Sequence, residues 1–266
     1  MNNKVRVFQL TDIHLFATPN GELLKLKTLD SFRAVLKIFR QAWETEEADV
    51  ILVTGDLSQD DSEQSYQLVM EELQDFNCPI LWTPGNHDEP RLMQKLLIKH
   101  PFNTEKHIDL NDWQIILLNS QLPGKVAGFL DAGELDFLET QLHSNTKNTL
   151  VVMHHQALPV GCIWLDNIGL LNRDDFWKII DKFTQVKGVL CGHVHQANHQ
   201  TRKNINFMTT PSTSVQFKPQ VVDFALDAIM PGFRILELEH DGKITTEVLR
   251  IPYDSKYLPD LNSKGY

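Results

Sequence analysis

The sequence has 266 residues, 42% hydrophobic and 23% charged, with 25 Lys and Arg against 35 Asp and Glu. That length and balance predict a soluble chain, read as one unit over 1–266, that can bury a full core, and no run approaches the roughly 20 apolar residues of a membrane span. A net charge of −10 excludes a basic nucleic-acid footprint and repels polyanions unless bound metal reverses the sign locally.

The opening Met1-Asn2-Asn3-Lys4 runs into a strand pattern without a signal-peptide core, and Cys78, Cys162 and Cys191 form no Cys-x-x-Cys pair. Together these features predict a reduced, cytoplasmic setting in which each cysteine is a small buried hydrophobe.

In chain order, the apolar run 5–10 predicts a buried strand ending in Thr11-Asp12-Ile13-His14. Leu29, Phe32, Val35, Leu36, Phe39 and Trp43 recur at helical spacing. A second strand, 50–54, ends in Gly55-Asp56. Asp61 with Gln64 predicts a capped helix carrying Tyr66, Val69, Met70, Leu73 and Phe76. The run 78–82 predicts a third strand, stopped by Pro84-Gly85 and followed by Asn86-His87-Asp88. Leu92, Leu96 and Leu97 suggest a short helix.

Residues 113–118 read as another buried strand, and Asp131 with Glu134 as a capping box before Leu135, Leu138 and Leu142. A strand over 149–153 ends in His154-His155, a helix follows Asn172, and 188–191 ends in Gly192-His193-Val194-His195. From about 198 to 250 the pattern turns to strands, expected at 205–209, 214–217, 233–239 and 244–249. Asp241-Gly242 marks a hairpin. This strand-rich last quarter is expected to form a second sheet packed on the first, with 252–266 as a surface tail. Alternating strands and helices argue for an α/β fold.

Five apolar strands thus end in metal-competent residues: Asp12 and His14; Asp56; Asn86 with His87; His154; His193 and His195. In open α/β sheets ligands bind beyond the carboxyl ends of strands, so these residues are expected to converge. If the strands continued, alternation would place both members of each Asp-x-His or His-x-His pair on one face; if they stop, the loops must supply that geometry. Mixed oxygen and imidazole donors without thiolate suit Mn²⁺, Fe, Co²⁺ or Zn²⁺, and seven donors exceed the needs of one ion. Two ions sharing a carboxylate fit, typically about 3.5–4 Å apart. His154 is preferred over His155 as the donor because it comes first after its strand.

Asp12-x-His14, Gly55-Asp56, Gly85-Asn86-His87-Asp88, His154 and Gly192-His193-x-His195, in this order, resemble the calcineurin-like metallophosphoesterases. A finer match, through Gly161-Cys162-x-Trp164-Leu165-Asp166, residues 210–219 and the terminal Gly265-Tyr266, is to the bacterial class III 3′,5′-cyclic-AMP phosphodiesterases. The resemblance implies a four-layer α/β/β/α sandwich of two mixed sheets flanked by helices. It implies one ion held by Asp12, His14, Asp56 and His195 and another by Asp56, Asn86, His154 and His193, with Fe²⁺ and Mn²⁺ the expected pair and Co²⁺ or Zn²⁺ the alternatives. One departure is that Gln156-Ala157 stands where many members have Pro-Pro.

The implied reaction is hydrolysis of cyclic AMP to 5′-AMP by a hydroxide that the two metals activate. His87 would be general acid and Asp88 would keep it protonated and oriented. His14, Asp56, Asn86, His87 and His195 are expected to face the substrate, and 161–172, with Trp164 and Leu165, to pack on the base as an apolar lid or to be an ordinary loop anchored by Trp164. The expected partner is this small nucleotide, without nucleic acid or membrane, acting on a monomer or homodimer. Alternatives are a nuclease, a protein phosphatase, another nucleotide or sugar-nucleotide hydrolase, or a scaffold with a decayed site.

Overall fold

The apolar runs fold as strands buried on both faces. The structure, a computed structural model, describes residues 4–265; Met1 to Asn3 and Tyr266, which carried part of the terminal readings, lie outside them. In chain order the elements are β1 (Val5–Leu10), a short hairpin of β2 (Glu22–Leu23) and β3 (Leu26–Lys27), α1 (Thr28–Thr45), β4 (Val50–Thr54), α2 (Glu63–Leu73), β5 (Ile80–Thr83), α3 (Pro90–Leu96), β6 (Phe102–Asn103), β7 (His107–Leu110), β8 (Trp113–Leu117), α4 (Ala132–Ser144), β9 (Asn148–Met153), α5 (Ile163–Asp166), α6 (Arg173–Ile180), β10 (Val186–Cys191), β11 (Asn198–Arg202), β12 (Ile205–Thr209), β13 (Gly232–Leu238) and β14 (Ile244–Arg250).

One six-stranded sheet runs β14-β13-β1-β4-β5-β6 and the other β11-β12-β10-β9-β8-β7. Both are mixed: β1, β4, β5 and β6 are parallel, as are β8, β9, β10 and β12, and antiparallel partners complete the edges. Strand alternation then makes three layers of core. Val5, Val7, Val50 and Leu52 meet Ile115, Leu150, Val152 and Leu190 between the sheets. Phe8, Leu10, Ile51 and Val53 turn outward onto Leu29, Phe32, Val35 and Phe39 of α1 and Tyr66 and Val69 of α2. Val151, Met153, Val189 and Cys191 face Leu138 and Leu142 of α4 and Phe176 and Ile180 of α6. The result is the α/β/β/α sandwich.

Three local readings change. Ser62, not Asp61, caps α2 by accepting from Ser65 N, and Asp61 turns into the left-handed region. Asp131 caps α4 as expected, but the Glu134 carboxylate accepts from Asn119 N instead of closing the box. No strand forms over 214–217: the Gln216 amide donates to the carbonyls of Ser212, Ser214 and Val215, a local alternative to a ladder, and only Phe217 makes a bridge, to Leu226. The last quarter also does not build the second sheet by itself. β11 and β12 extend one sheet, whereas β13 and β14 cross back to the other.

Candidate metal centre

Beyond β1 the chain does not continue as a strand. Asp12 and His14 are both left-handed, at φ 53° and 52°, as are Asp56, His193 and His195 at 53°, 66° and 49°. The loops hold one another in this uncommon conformation: Asp12 N donates to Gly55 O, His14 N to Asp56 O, and His193 N to the Asp12 carboxylate. The loops, not alternation, bring each pair to one point.

There the side chains form overlapping groups. Asp12, His14 and His195 offer donor atoms within 4.8 Å of one another, as do Asp12, Asp56 and His154, and also His14, Asp56 and His87. His195 Nε2 lies 3.2 Å from Asp12 Oδ1 and 3.3 Å from His14 Nε2. Asp56 Oδ2 stands between two sides, 3.7 Å from His14 Nε2 and 3.4 Å from His154 Nε2. The outer nitrogens are anchored: His14 Nδ1 to Gln59 Oε1 at 2.7 Å, His154 Nδ1 to Thr54 O at 2.8 Å and His195 Nδ1 to Val215 O at 2.8 Å. Such bonds fix the Nδ1–H tautomer and aim a bare Nε2 inward. The His195 ring stacks on Phe217, 4.1 Å between centroids.

His154 Nε2, His193 Nε2 and Asn86 Oδ1 are buried without a hydrogen-bond partner. Orphaned buried acceptors carry a free-energy cost unless something positive meets them. Asp12 and Asp56 are likewise buried, and among the described residues only histidines stand as their ion-pair partners. The carboxylates draw positive charge inward: burial opposes charging His154, yet Asp56 outweighs it and raises its pKa to about 9. Burial holds His14 neutral, lowering it to about 3. A neutral His14, a His154 whose raised proton affinity shows the pull of the carboxylates on any cation, and three orphan atoms make a fitting bed for divalent cations. His155 sits in a donor group with His154 and His193. Its Nδ1, however, pairs with Ser120 Oγ and its Nε2 with Val126 O, which leaves His154 as the inward-facing residue.

His87 is half-buried at the rim, edge-on to the His14 ring, and its backbone N donates to Asp56 Oδ1. Asp88 does not orient it. Its carboxylate accepts from Leu57 N, Ser58 N, Gly85 N and Tyr66 Oη, so Asp88 ties the 56–58 loop to the 85–88 turn. Burial and Asp56 push Asp88 up to about 7. Gln59 lies beside His87: its Nε2 is 3.4 Å from His87 Nδ1 while its Oε1 serves His14. Gln59 had no periodic signal in the sequence; its position three residues after Asp56 was the available cue. Phe217 had been part of a matched stretch without a role.

The expected lid faces inward. Leu165 is fully buried and Trp164 packs against Phe217 and Phe224 in a satellite core. Ile163 and Leu171 are the exposed apolar residues of this segment. The three cysteines are free and buried, and burial pushes the Cys78 thiol up to about 12 and the Cys191 thiol upward too, as inert core residues require. No described helix is long and apolar enough to cross a membrane.

A protein from Vibrio vulnificus named 3′,5′-cyclic adenosine monophosphate phosphodiesterase CpdA is 44% identical, covering 99% of this chain and 96% of its own. The Escherichia coli K12 protein of that name is 42% identical over 99% and 95%. A dimetal phosphatase from Danio rerio superposes with TM-score 0.67 at 14% identity, covering 93% of this chain and 99% of that one. Purple acid phosphatase PPD1 from yellow lupin gives 0.62 at 14%, over 94% and 54%. The two structures share the fold alone. Residues 5–197, which carry every donor in the centre, match the calcineurin-like phosphoesterase family, and to that family the chain belongs.

Proposed function

We propose that the chain hydrolyses 3′,5′-cyclic AMP to 5′-AMP with two divalent metal ions. The observation that carries this is the junction at Asp56: one side gathers Asp12, His14 and His195, and the other leaves His154 Nε2, His193 Nε2 and Asn86 Oδ1 without hydrogen-bond partners. Asp12, His14, Asp56 and His195 would hold one ion, and Asp56, Asn86, His154 and His193 the other, with Fe²⁺ and Mn²⁺ the proposed pair. When bound, such ions neutralise the phosphodiester and activate a water at neutral pH. The substrate assignment is supported by the names of the relatives at 42–44% identity over nearly the full chain.

The chain's own residues do the rest. His14, Asp56, Asn86, His87 and His195 surround the position of the phosphate. The buried carboxylates and anchored imidazoles are set before substrate arrives, so little reorganisation is needed. The departing 3′ oxygen needs a proton, and His87 is its proposed source. The Gln59 amide, its Oε1 bonded to His14, lies with its nitrogen 3.4 Å from His87 Nδ1 and would position the ring, which must be imidazolium, protonated on both nitrogens, to give up a proton. Gln59 thereby takes the orienting role that Asp88 does not.

The test is metal-stripped protein with Mn²⁺, Fe²⁺ or Zn²⁺ restored separately, given 3′,5′-cyclic AMP, and the product resolved by chromatography. 5′-AMP is expected. Formation of 3′-AMP alone, or turnover of 2′,3′-cyclic nucleotides alone, would overturn the proposal.

A further inference from the structure

The metal-centre residues account for a phosphate but not for what is attached to it. A groove of about 980 Å³ opens beside the centre, sharing Asn86 with the donor set and running between the 88–92 turn and the 119–124 loop. That size suits a drug-sized ligand. Its walls mix Pro90, Leu92 and Pro123 with the charged Asp61, Glu89, Arg91 and Lys95, and carry the amides of Asn119 and Gln121. Gln121 is fixed in place: its backbone N donates to Asn119 Oδ1, and its side-chain Nε2 donates to Asp88 O, on the turn that carries Asn86 and His87. An amide nitrogen has two hydrogens. One is used on Asp88 O, so Gln121 still offers one N–H and its Oε1.

We infer that this groove, not the 161–172 segment, seats the nucleoside half of the substrate, and that the Gln121 amide reads the purine edge. The inference rests on the cyclic-nucleotide reading above. An amide presenting one donor and one acceptor matches adenine, whose edge pairs an N6–H donor with an N7 acceptor, whereas guanine presents two acceptors, O6 and N7. Pro90 and Pro123 offer apolar surfaces that suit the faces of a flat ring. The competing segment turns Trp164 and Leu165 into its own core and leaves only the aliphatic Ile163 and Leu171 exposed, with no aromatic ring free to stack on a base.

Two measurements test this. Photolabelling of metal-loaded protein with 8-azido-cyclic AMP, followed by peptide mass spectrometry, is expected to mark 89–95 or 119–124. Label confined to 160–172 or 217–226 would overturn the groove. Secondly, the kcat/KM ratio of cyclic AMP to cyclic GMP should exceed one in the parent chain and fall in Gln121→Leu by roughly 5- to 150-fold, the worth of one bidentate amide contact. Because a disturbed turn lowers both substrates alike, the ratio isolates base reading. A parent ratio near one, or a ratio unmoved by Gln121→Leu, refutes it. Parent protein inert toward both nucleotides while it cleaves methyl p-nitrophenyl phosphate would instead refute the cyclic-nucleotide reading.

Discussion

Gly85→Ala tests whether the turn after β5 must touch Asp56. Gly85 is outside the left-handed region, so alanine's own backbone is not strained there. The added Cβ is what matters: it would lie 2.1 Å from Asp56 Oδ1, 2.5 Å from Asp56 N and 2.8 Å from Asp56 Cγ, where ordinary contact begins at 3.4 Å. Asp56 or the turn must therefore retreat by about 1 Å, and a misplacement of that size near reacting groups costs on the order of 10²-fold in rate. Overpacking of this kind destabilises by about 1–3 kcal/mol, a fall in Tm of roughly 2–5 °C for a chain of this size. The assay is kcat on cyclic AMP with metal content by elemental analysis and a thermal melt. Gly133→Ala in α4 is the control, since its Cβ meets only Asp131 Oδ1 at 3.2 Å. A Gly85→Ala protein with parental metal content, rate and Tm would refute the idea that this glycine exists to let the turn close on Asp56.

Three further outcomes are expected. Asp56→Ala should lose both ions by elemental analysis, whereas His14→Ala should retain one; two tightly held ions in Asp56→Ala would disprove the shared carboxylate. His87→Ala should keep its metals and slow cyclic AMP by about 10²- to 10⁴-fold but slow a p-nitrophenyl diester less, because that leaving group departs unprotonated, and Gln59→Leu should give a smaller loss of about 10- to 100-fold; equal losses on both substrates would remove His87 from the acid role. On the surface, Asp181 pairs with Arg202 and Lys203, which hold its carboxyl at about 2 against an ordinary 3.8; its folded pKa is depressed, so the pair stabilises fully above the unfolded value, and Asp181→Asn should cost under about 1 kcal/mol at pH 7 for this partly exposed group, a difference that shrinks through pH 4 to 2 in urea melts.

The sandwich was legible because a strand buried on both faces must be apolar throughout, and β1, β4, β9 and β10 each show that run just before a cluster of Asp, Asn or His. The donors were legible for the same reason. The orientation of Asp88 was not, since nothing in a Gly-Asn-His-Asp string says that three backbone N–H groups from two loops claim its carboxylate. Gln59 was missed because one amide spanning two imidazoles has no period. Residues 214–217 alternate like a strand, but serine and glutamine side chains took over their backbone bonds. The sequence left Trp164 open between covering a base and anchoring its own loop, because its partners Phe217 and Phe224 lie more than fifty residues on.

The five left-handed donors have a thermodynamic consequence. A non-glycine residue at positive φ costs on the order of 1–2 kcal/mol, and Asp12, His14, Asp56, His193 and His195 all adopt it. Together they approach the net stability of a typical domain, about 5–15 kcal/mol, so the surrounding sheets must over-determine these loops. The strain has a use: in a continuing strand, residues two apart would point one way but stay about 6.6 Å apart along the chain, whereas a left-handed turn at each member folds both onto one point. Asp12 separates this cost from that of its charge. Asp12→Ala and Asp12→Gly both delete the carboxylate and its bonds from Thr11 Oγ1 and His193 N. They differ in that only alanine keeps a Cβ at φ 53°. The glycine variant should therefore be the more stable of the two by about 1 kcal/mol in metal-free urea melts, despite the larger freedom glycine gives the unfolded chain. Equal stabilities, or a more stable alanine variant, would mean that the loop carries no such strain and that the donors meet because the loop relaxes there of its own accord.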